Sequence, residues 1–308
     1  MRNLSVIWDI TKYCVWNCAF CAMAATSDGL CTEYKLTNGE KLDVVLQLGE
    51  LSQEMNVRVD VSGGELLLDP FHLKVLKHLS GVLGQPNVGI STSGVFMDER
   101  LAEFFAQTVS DVEMTMDAVP SQHYPLRPKG YHETAAKAVP LLKKSGVKVG
   151  LQTVVCRENF SEANSRAVFE WCCENFVDEW SILRFFPAGR GVNFPNLALT
   201  DAECAEYVKR TLEMVRNSEH TVKPKVDFHY SMPGSEKYTT ECRCVKKSIG
   251  ILPNGDVTAC FWALDSCTGI VDPKYLLGNV RTQRLVDILN GERARYWLDC
   301  SHTCEFCA

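Results

Sequence analysis

Short apolar runs alternate with amphipathic stretches over the first two-thirds of the chain, the pattern of βα units around a parallel sheet. The apolar runs predict strands over Leu4–Ile10, Arg58–Ser62, Val88–Ser91, Val112–Thr115, Val147–Val155 and Trp180–Phe186. Between them, helical periodicity predicts Leu42–Met55, Pro70–Leu83, Asp98–Gln107, His132–Ser145 and Ser161–Phe176. Asp69-Pro70 and Asn159 read as start signals for two of these helices. A further helix starts at Thr200-Asp201 and runs to about Arg216. The fold class is therefore α/β, and the count of units fits a partial (βα)6 barrel of the TIM type rather than a closed eight.

From Asn217 to Glu241 the periodicity fails, and Pro224, Pro233 and Gly234 punctuate the chain. This predicts a barrel over residues 1–218, a connection over 219–241 and a small α+β module over 242–308. Within the module, Ser248–Leu252 and Asp256–Cys260 predict a hairpin across Pro253-Asn254-Gly255-Asp256, because Asn-Gly is a strong turn signal. A helix near Leu285–Leu289 and a cysteine-rich tail follow.

Composition narrows the function classes. The 308 residues carry a net charge of −6, which argues against a dedicated nucleic-acid binder. No apolar run reaches the length of a membrane span, and no secretory leader precedes the first strand, so a membrane partner is not expected. Fifteen cysteines are too many for ordinary packing, yet the chain is too long for a small disulfide scaffold. A reducing cytoplasm, with thiols used for metal, is the consistent expectation.

Cys14, Cys18 and Cys21 follow the first predicted strand with the spacing Cys-x3-Cys-x2-Cys. Iron–sulfur clusters are held by cysteine thiolates, and three ligands leave one iron of a cubane open. Zinc prefers paired Cys-x2–4-Cys blocks with a fourth ligand and is the competing reading. Barrel enzymes work at the carboxyl ends of their strands, which tests whether other candidates share this face. Gly63-Gly64-Glu65 follows the second strand, Thr92-Ser93-Gly94 the third, Asp117 the fourth and Pro187-Ala188-Gly189-Arg190 the sixth. All fall at the same end.

With Phe20 between the second and third cysteines, the loop resembles that of the radical S-adenosylmethionine (SAM) enzymes. The resemblance implies a [4Fe-4S] cluster on Cys14, Cys18 and Cys21 whose open iron takes the amino and carboxylate groups of SAM. Gly63, Gly64 and Glu65 resemble the family's motif for the SAM amino group. Thr92 and Ser93 stand where relatives carry Thr-Asn-Gly, with Ser93 departing from the commonest form. Asp117 resembles the strand-end Asp of a Ser-x-Asp stretch, and Arg127 an arginine suited to the SAM carboxylate. Arg190 lies in a stretch similar to the Pro-x-Gly-Arg of relatives with an auxiliary-cluster domain, and Phe20 also counts among the cofactor contacts. No catalytic residue is assigned; Tyr124, His123, Asp117 and Cys267 are candidate proton donors.

The C-terminal cysteines form a second pattern. Cys242 and Cys244 precede Gly255, Cys260 follows it after four residues, and Cys304-x2-Cys307 comes later. The order is similar to the opening of SPASM and Twitch domains, and the end at Ala308 favours a Twitch-like form with one auxiliary [4Fe-4S] cluster. Its expected ligands are Cys242 or Cys244, then Cys260, Cys304 and Cys307, with Cys267 and Cys300 as spares; structural zinc is the alternative. Cys31, Cys156, Cys172, Cys173 and Cys204 lack ligand spacing and read as small buried hydrophobes.

Together these features imply an enzyme that cleaves SAM reductively to a 5′-deoxyadenosyl radical and abstracts hydrogen from a small-molecule substrate, sugar-, aminocyclitol- or nucleoside-like. The auxiliary cluster would assist oxidation, epimerisation or decarboxylation, and a flavodoxin- or ferredoxin-type protein would supply electrons. Cys14 lies too near the start for a leader-binding domain ahead of it, which favours the small molecule over a ribosomally made peptide as substrate. A non-catalytic iron–sulfur electron carrier and a zinc-binding interaction module are the readings from other classes.

Overall fold

The computed structural model describes residues 1–27, 35–263 and 271–299. Seven parallel strands follow one another in sequence order: β1 (Asn3–Asp9), β2 (Asn56–Ser62), β3 (Val88–Ser91), β4 (Asp111–Thr115), β5 (Lys148–Val155), β6 (Glu179–Arg184) and β7 (Lys225–Phe228). On the other side of β1 lie β8 (Ser248–Ile251), parallel to it, and then β9 (Asp256–Thr258) and β10 (Leu276–Asn279), antiparallel. The sheet is open rather than closed, with β7 and β10 at its edges.

Helices α1 (Asn38–Leu51), α2 (Phe71–Leu83), α3 (Glu99–Thr108), α4 (Tyr131–Lys144) and α5 (Glu162–Glu174) join successive parallel strands, as right-handed βαβ connections require. Helix α6 (Asp201–Asn217) leads to β7; α7 (Leu285–Asn290) and α8 (Glu292–Asp299) close the described chain. The apolar core sits between sheet and helices. Leu4, Val6 and Trp8 of β1, Val57, Val59 and Val61 of β2, and Val112 and Met114 of β4 are buried there against residues such as Val45, Leu48, Val75 and Leu79. The alternate positions face the inside of the curved sheet, and most of those are polar.

Three expectations change. The stretch 219–241 is more than a connection: β7 pairs in parallel with β6, from Glu179↔Lys225 to Ile182↔Phe228. A four-residue strand is too short to show a period, so the sequence concealed it. Helix α1 begins four residues before the expected Leu42, because Thr37 and Glu40 form a reciprocal capping box across its first turn. Asn159 is not a helix cap. Ser161 caps α5, accepting from the Asn164 N–H, while Asn159 accepts from the Cys156 N–H and donates to the carbonyls of Val154 and Asp117. The predicted hairpin forms: Gly255 takes φ +89 at the turn between β8 and β9.

Candidate cofactor and substrate site

The loop after β1 carries Cys14, Cys18 and Cys21 near enough for their thiols to interact electrostatically, though not gathered around one metal position in this structure. Cys14 and Cys18 are buried, and Cys21 opens onto a cavity of about 510 Å³ inside the curved sheet. Neighbouring loops hold the cysteine loop by backbone contact. Gly64 N–H donates to Thr11 O at 2.6 Å and Glu65 N–H to Tyr13 O at 2.8 Å. A Cβ on Gly64 would overlap the Tyr13 carbonyl, and one on Gly189 would overlap that of Ala22. From the far side of the barrel Arg190 reaches in: Nη2 donates to Cys18 O at 2.8 Å, Nη1 to Ala25 O at 2.6 Å, and its N–H to Cys21 O at 3.0 Å.

The thiols fit an iron–sulfur cluster. Trp16 N–H lies 3.4 Å from Cys14 Sγ, and the Arg127 guanidinium lies beside Cys18, so both sulfurs face donors suited to thiolates. Without metal, burial pushes the Cys14 thiol up to about 12, and burial outweighs Arg127 in raising Cys18. Metal binding requires deprotonated ligands, so cluster uptake would release these protons.

The residues singled out in the sequence divide into two groups. Phe20, Gly63 and Arg127 line the cavity with Cys21. Thr92, Ser93, Glu65, Asp117 and Arg190 do not line it among the described residues, and act on other protein groups. Glu65 Oε1 accepts from Thr92 Oγ1 at 2.7 Å; its Oε2 accepts from Ser93 Oγ at 2.5 Å and Ser93 N–H at 2.8 Å. Trp16 Nε1 in turn donates to Ser93 Oγ at 2.9 Å, tying the cysteine loop to the loop after β3. This network locks three loops, and sequence reading missed Trp16 within it.

Asp117 is fully buried, its Oδ1 accepting from Val154 N–H at 2.9 Å and its Oδ2 from Arg127 Nε at 2.7 Å. Burial raises its proton affinity, but Arg127, His132 and the Val154 N–H outweigh that and hold the carboxyl below its ordinary value. Asp117 therefore positions Arg127, whose plane lies between the rings of Phe20 (4.5 Å) and Tyr131 (4.8 Å). Tyr124 is buried with its hydroxyl 3.4 Å from Cys156 Sγ, and burial pushes the phenol far up; His123 is exposed outside the cavity. Neither is placed to donate a proton there. Cys156, Cys172, Cys173 and Cys204 are buried as small side chains, and Cys31 and Cys267 lie outside the described residues.

In the C-terminal module, Cys242, Cys244 and Cys260 are buried together; the Cys244 thiol shares hydrogen bonds with the other two, which raise its pKa along with burial. Cys244 thus lies against two further thiols, a donor type suited to a further cluster, although the three are not arranged around one metal position in this structure. Cys300, Cys304 and Cys307 lie outside the described residues. Cys260 is followed directly by Phe261 and Trp262, which line the cavity opposite the strand ends. Phe186 packs against Trp262 with centroids 5.2 Å apart, joining the module to the end of β6.

The Radical SAM superfamily profile matches residues 8–166, more than half of the chain. The chain belongs to the radical SAM superfamily. The profile of SPASM, an iron–sulfur cluster-binding domain, matches residues 242–308 of this radical SAM enzyme. Its cofactors are a [4Fe-4S] cluster, SAM and an auxiliary iron–sulfur cluster. Relatives include the GTP 3′,8-cyclase of Synechocystis sp. (strain ATCC 27184 / PCC 6803 / Kazusa), 24% identical over 177 residues, covering 55% of this chain and 49% of that protein. The pre-heme d1 synthase of Dinoroseobacter shibae (strain DSM 16493 / NCIMB 14021 / DFL 12) is 27% identical over 191 residues, covering 60% and 44%. The radical SAM chain thus aligns with about half the length of these curated relatives.

Solved structures share the fold. SuiB of Streptococcus suis bound to precursor peptide SuiA superposes with a TM-score of 0.72 at 14% identity, covering 94% of this chain and 65% of that one. The anSMEcpe structure with bound AdoMet gives 0.68 at 16% identity, covering 96% and 83%. No helix of the described residues is long and apolar enough to cross a membrane.

Proposed function

We propose that this radical SAM enzyme abstracts hydrogen from a small polar substrate, sugar-, aminocyclitol- or nucleoside-like, held inside the curved sheet. The cysteines of the C-terminal module would hold the auxiliary cluster, which would supply electron transfer for oxidation, epimerisation or decarboxylation. One observation carries this reading: the loop of Cys14, Cys18 and Cys21 opens through Cys21 onto a cavity that the residues after Cys260 also wall. When bound, the reduced cluster and SAM supply one-electron cleavage of the sulfonium and hydrogen abstraction from a C–H bond.

The protein's own residues bind, orient and exclude water. Cys14, Cys18 and Cys21 would ligate the first cluster, with Arg190, Gly64 and Gly189 fixing their loop. Gly63, Phe20 and Arg127 would border SAM, while Glu65, Thr92, Ser93 and Asp117 hold the bordering loops in place. Cys242 or Cys244, with Cys260, Cys304 and Cys307, would serve the auxiliary cluster. Residues 1–218 with β7 then form the SAM-cleaving unit, the rest of 219–241 the connection and 242–308 the auxiliary unit. A flavodoxin- or ferredoxin-type reductant in a reducing cytoplasm suits a chain with no disulfide among its described cysteines.

A second reading, modification of a ribosomally made peptide, draws on the fold shared with SuiB, whose structure holds a precursor peptide. Changing Cys14, Cys18 or Cys21 to Ala is expected to abolish 5′-deoxyadenosine formation and to remove about four irons per chain. Cys260→Ala is expected to spare SAM cleavage and to lose product. Undiminished 5′-deoxyadenosine in the first set overturns the proposal.

A further inference from the structure

The floor of the cavity differs in charge from its rim. Glu113 of β4 enters it between β3 and β5, and its Oε2 accepts from Gln152 Nε2 at 3.1 Å and Ser91 Oγ at 3.4 Å. Asp60 of β2 lines the same floor. Arg58 donates to Asp60 at 2.7 Å and to Asp111 at 2.9 Å, so one guanidinium faces two carboxylates. Glu179 of β6 also faces Glu113 and is paired with Lys225 at 3.2 Å and Lys148 at 3.8 Å. The other charges around the cavity are matched: Arg127 by Asp117, Arg184 by Asp201 and Asp227 by Lys237. Glu113 has no ion pair among the described residues. A carboxylate surplus therefore borders the cavity.

We propose that Glu113 is the specificity-determining acceptor for a primary ammonium of the substrate, bound at the cavity floor beside Asp60, Ser91 and Gln152. The proposal rests on the reading of this cavity as the substrate site. An ammonium has three donors and no acceptor, and its hydrogen bonds to carboxylates are the strong, charge-assisted kind. Thr115, two residues further along β4, also lines the cavity and hydrogen-bonds Tyr131, the ring against which Arg127 packs. Strand geometry puts Glu113 about 6–7 Å below it. A small molecule anchored at Glu113 thus presents its opposite end to the cysteine loop. Burial, then repulsion from Asp60 and Asp111, raises the Glu113 carboxyl to about 7, and a bound cation would offset that repulsion. A free cyclic amine and a lysyl side chain offer the same chemistry.

Calorimetry on the full-length, cluster-reconstituted protein with SAM tests this. The probes are trans-4-aminocyclohexanol against trans-1,4-cyclohexanediol, and Nα-acetyl-lysine amide against Nα-acetyl-norleucine amide. In at least one pair the amine is expected to bind about tenfold or more tightly than its neutral partner at pH 8. The preference should shrink at pH 6, where Glu113 takes up a proton. Glu113→Gln should lose the preference while keeping the spectral response to SAM. A preference confined to the cyclic pair supports a small amine, and one confined to the lysine pair supports a peptide side chain.

Equal binding within both pairs, or no binding, overturns the proposal, as does a preference that survives Glu113→Gln. Should that variant lose its SAM response, the wild type decides: a preference unchanged between pH 6 and 8 overturns the assignment. SAM cleavage measured on the same samples separates failure here from failure of the enzymatic reading.

Discussion

Asp9 ends β1 with both carboxylate oxygens buried and no hydrogen-bond partner for either among the described residues. Burial raises its carboxyl to about 7, against the opposing pull of Lys12. The native state therefore holds a proton that the unfolded chain has already released, and stability falls as pH rises from about 4 through 7. Asp9→Asn removes that dependence. Its stability relative to wild type is expected to improve by up to about 3 kcal/mol between pH 5 and pH 8, read from urea midpoints at the two pH values. Single residues also show where sequence reading stops. Gly63-Gly64-Glu65 stood out as a ligand motif, yet the oxygens of Glu65 are bonded to Thr92 and Ser93. A side chain's partner depends on which loops meet, and a linear pattern contains no such information.

The loops at the carboxyl ends of the strands act as a set. The cysteine loop is gripped by the loop after β2 through Gly64, by the loop after β3 through Trp16 and Ser93, and by the loop after β6 through Gly189 and Arg190. Gly189 adopts φ +54 where a Cβ would overlap the Ala22 carbonyl. Gly189→Ala is therefore expected to destabilise the protein by more than about 1 kcal/mol and to lower iron incorporation on reconstitution. Normal iron content with unchanged stability would show that this approach is not needed. The parallel strands and their helices were readable because apolar period and length are local properties. The loop contacts were not, since Arg190 and Cys18 lie 172 residues apart.

At the scale of the whole molecule, the C-terminal module continues the barrel's own sheet: β8 pairs with β1 from Ser5↔Ser248 to Trp8↔Ile251. Gln47 of α1 fastens the two parts, donating to Val280 O at 3.1 Å and accepting from the Leu285 N–H at 2.8 Å. Gln47 is buried, so Gln47→Ala leaves two buried backbone groups unpaired. It should cost roughly 2–4 kcal/mol in a denaturant titration, and an effect within 0.5 kcal/mol would argue that the interface is not held this way. The sequence by itself determined the order of the first six strands and the helices between them, the iron–sulfur chemistry of its thiol loop and the family. Each of these rests on spacing over a few residues. Only the tertiary structure decided that Cys242, Cys244 and Cys260 meet, that β7 joins the sheet, and that the polar alternates of β2 and β4 face a cavity rather than solvent. Curvature of the sheet and closure of long loops bring these groups together, and both are properties of the assembled chain.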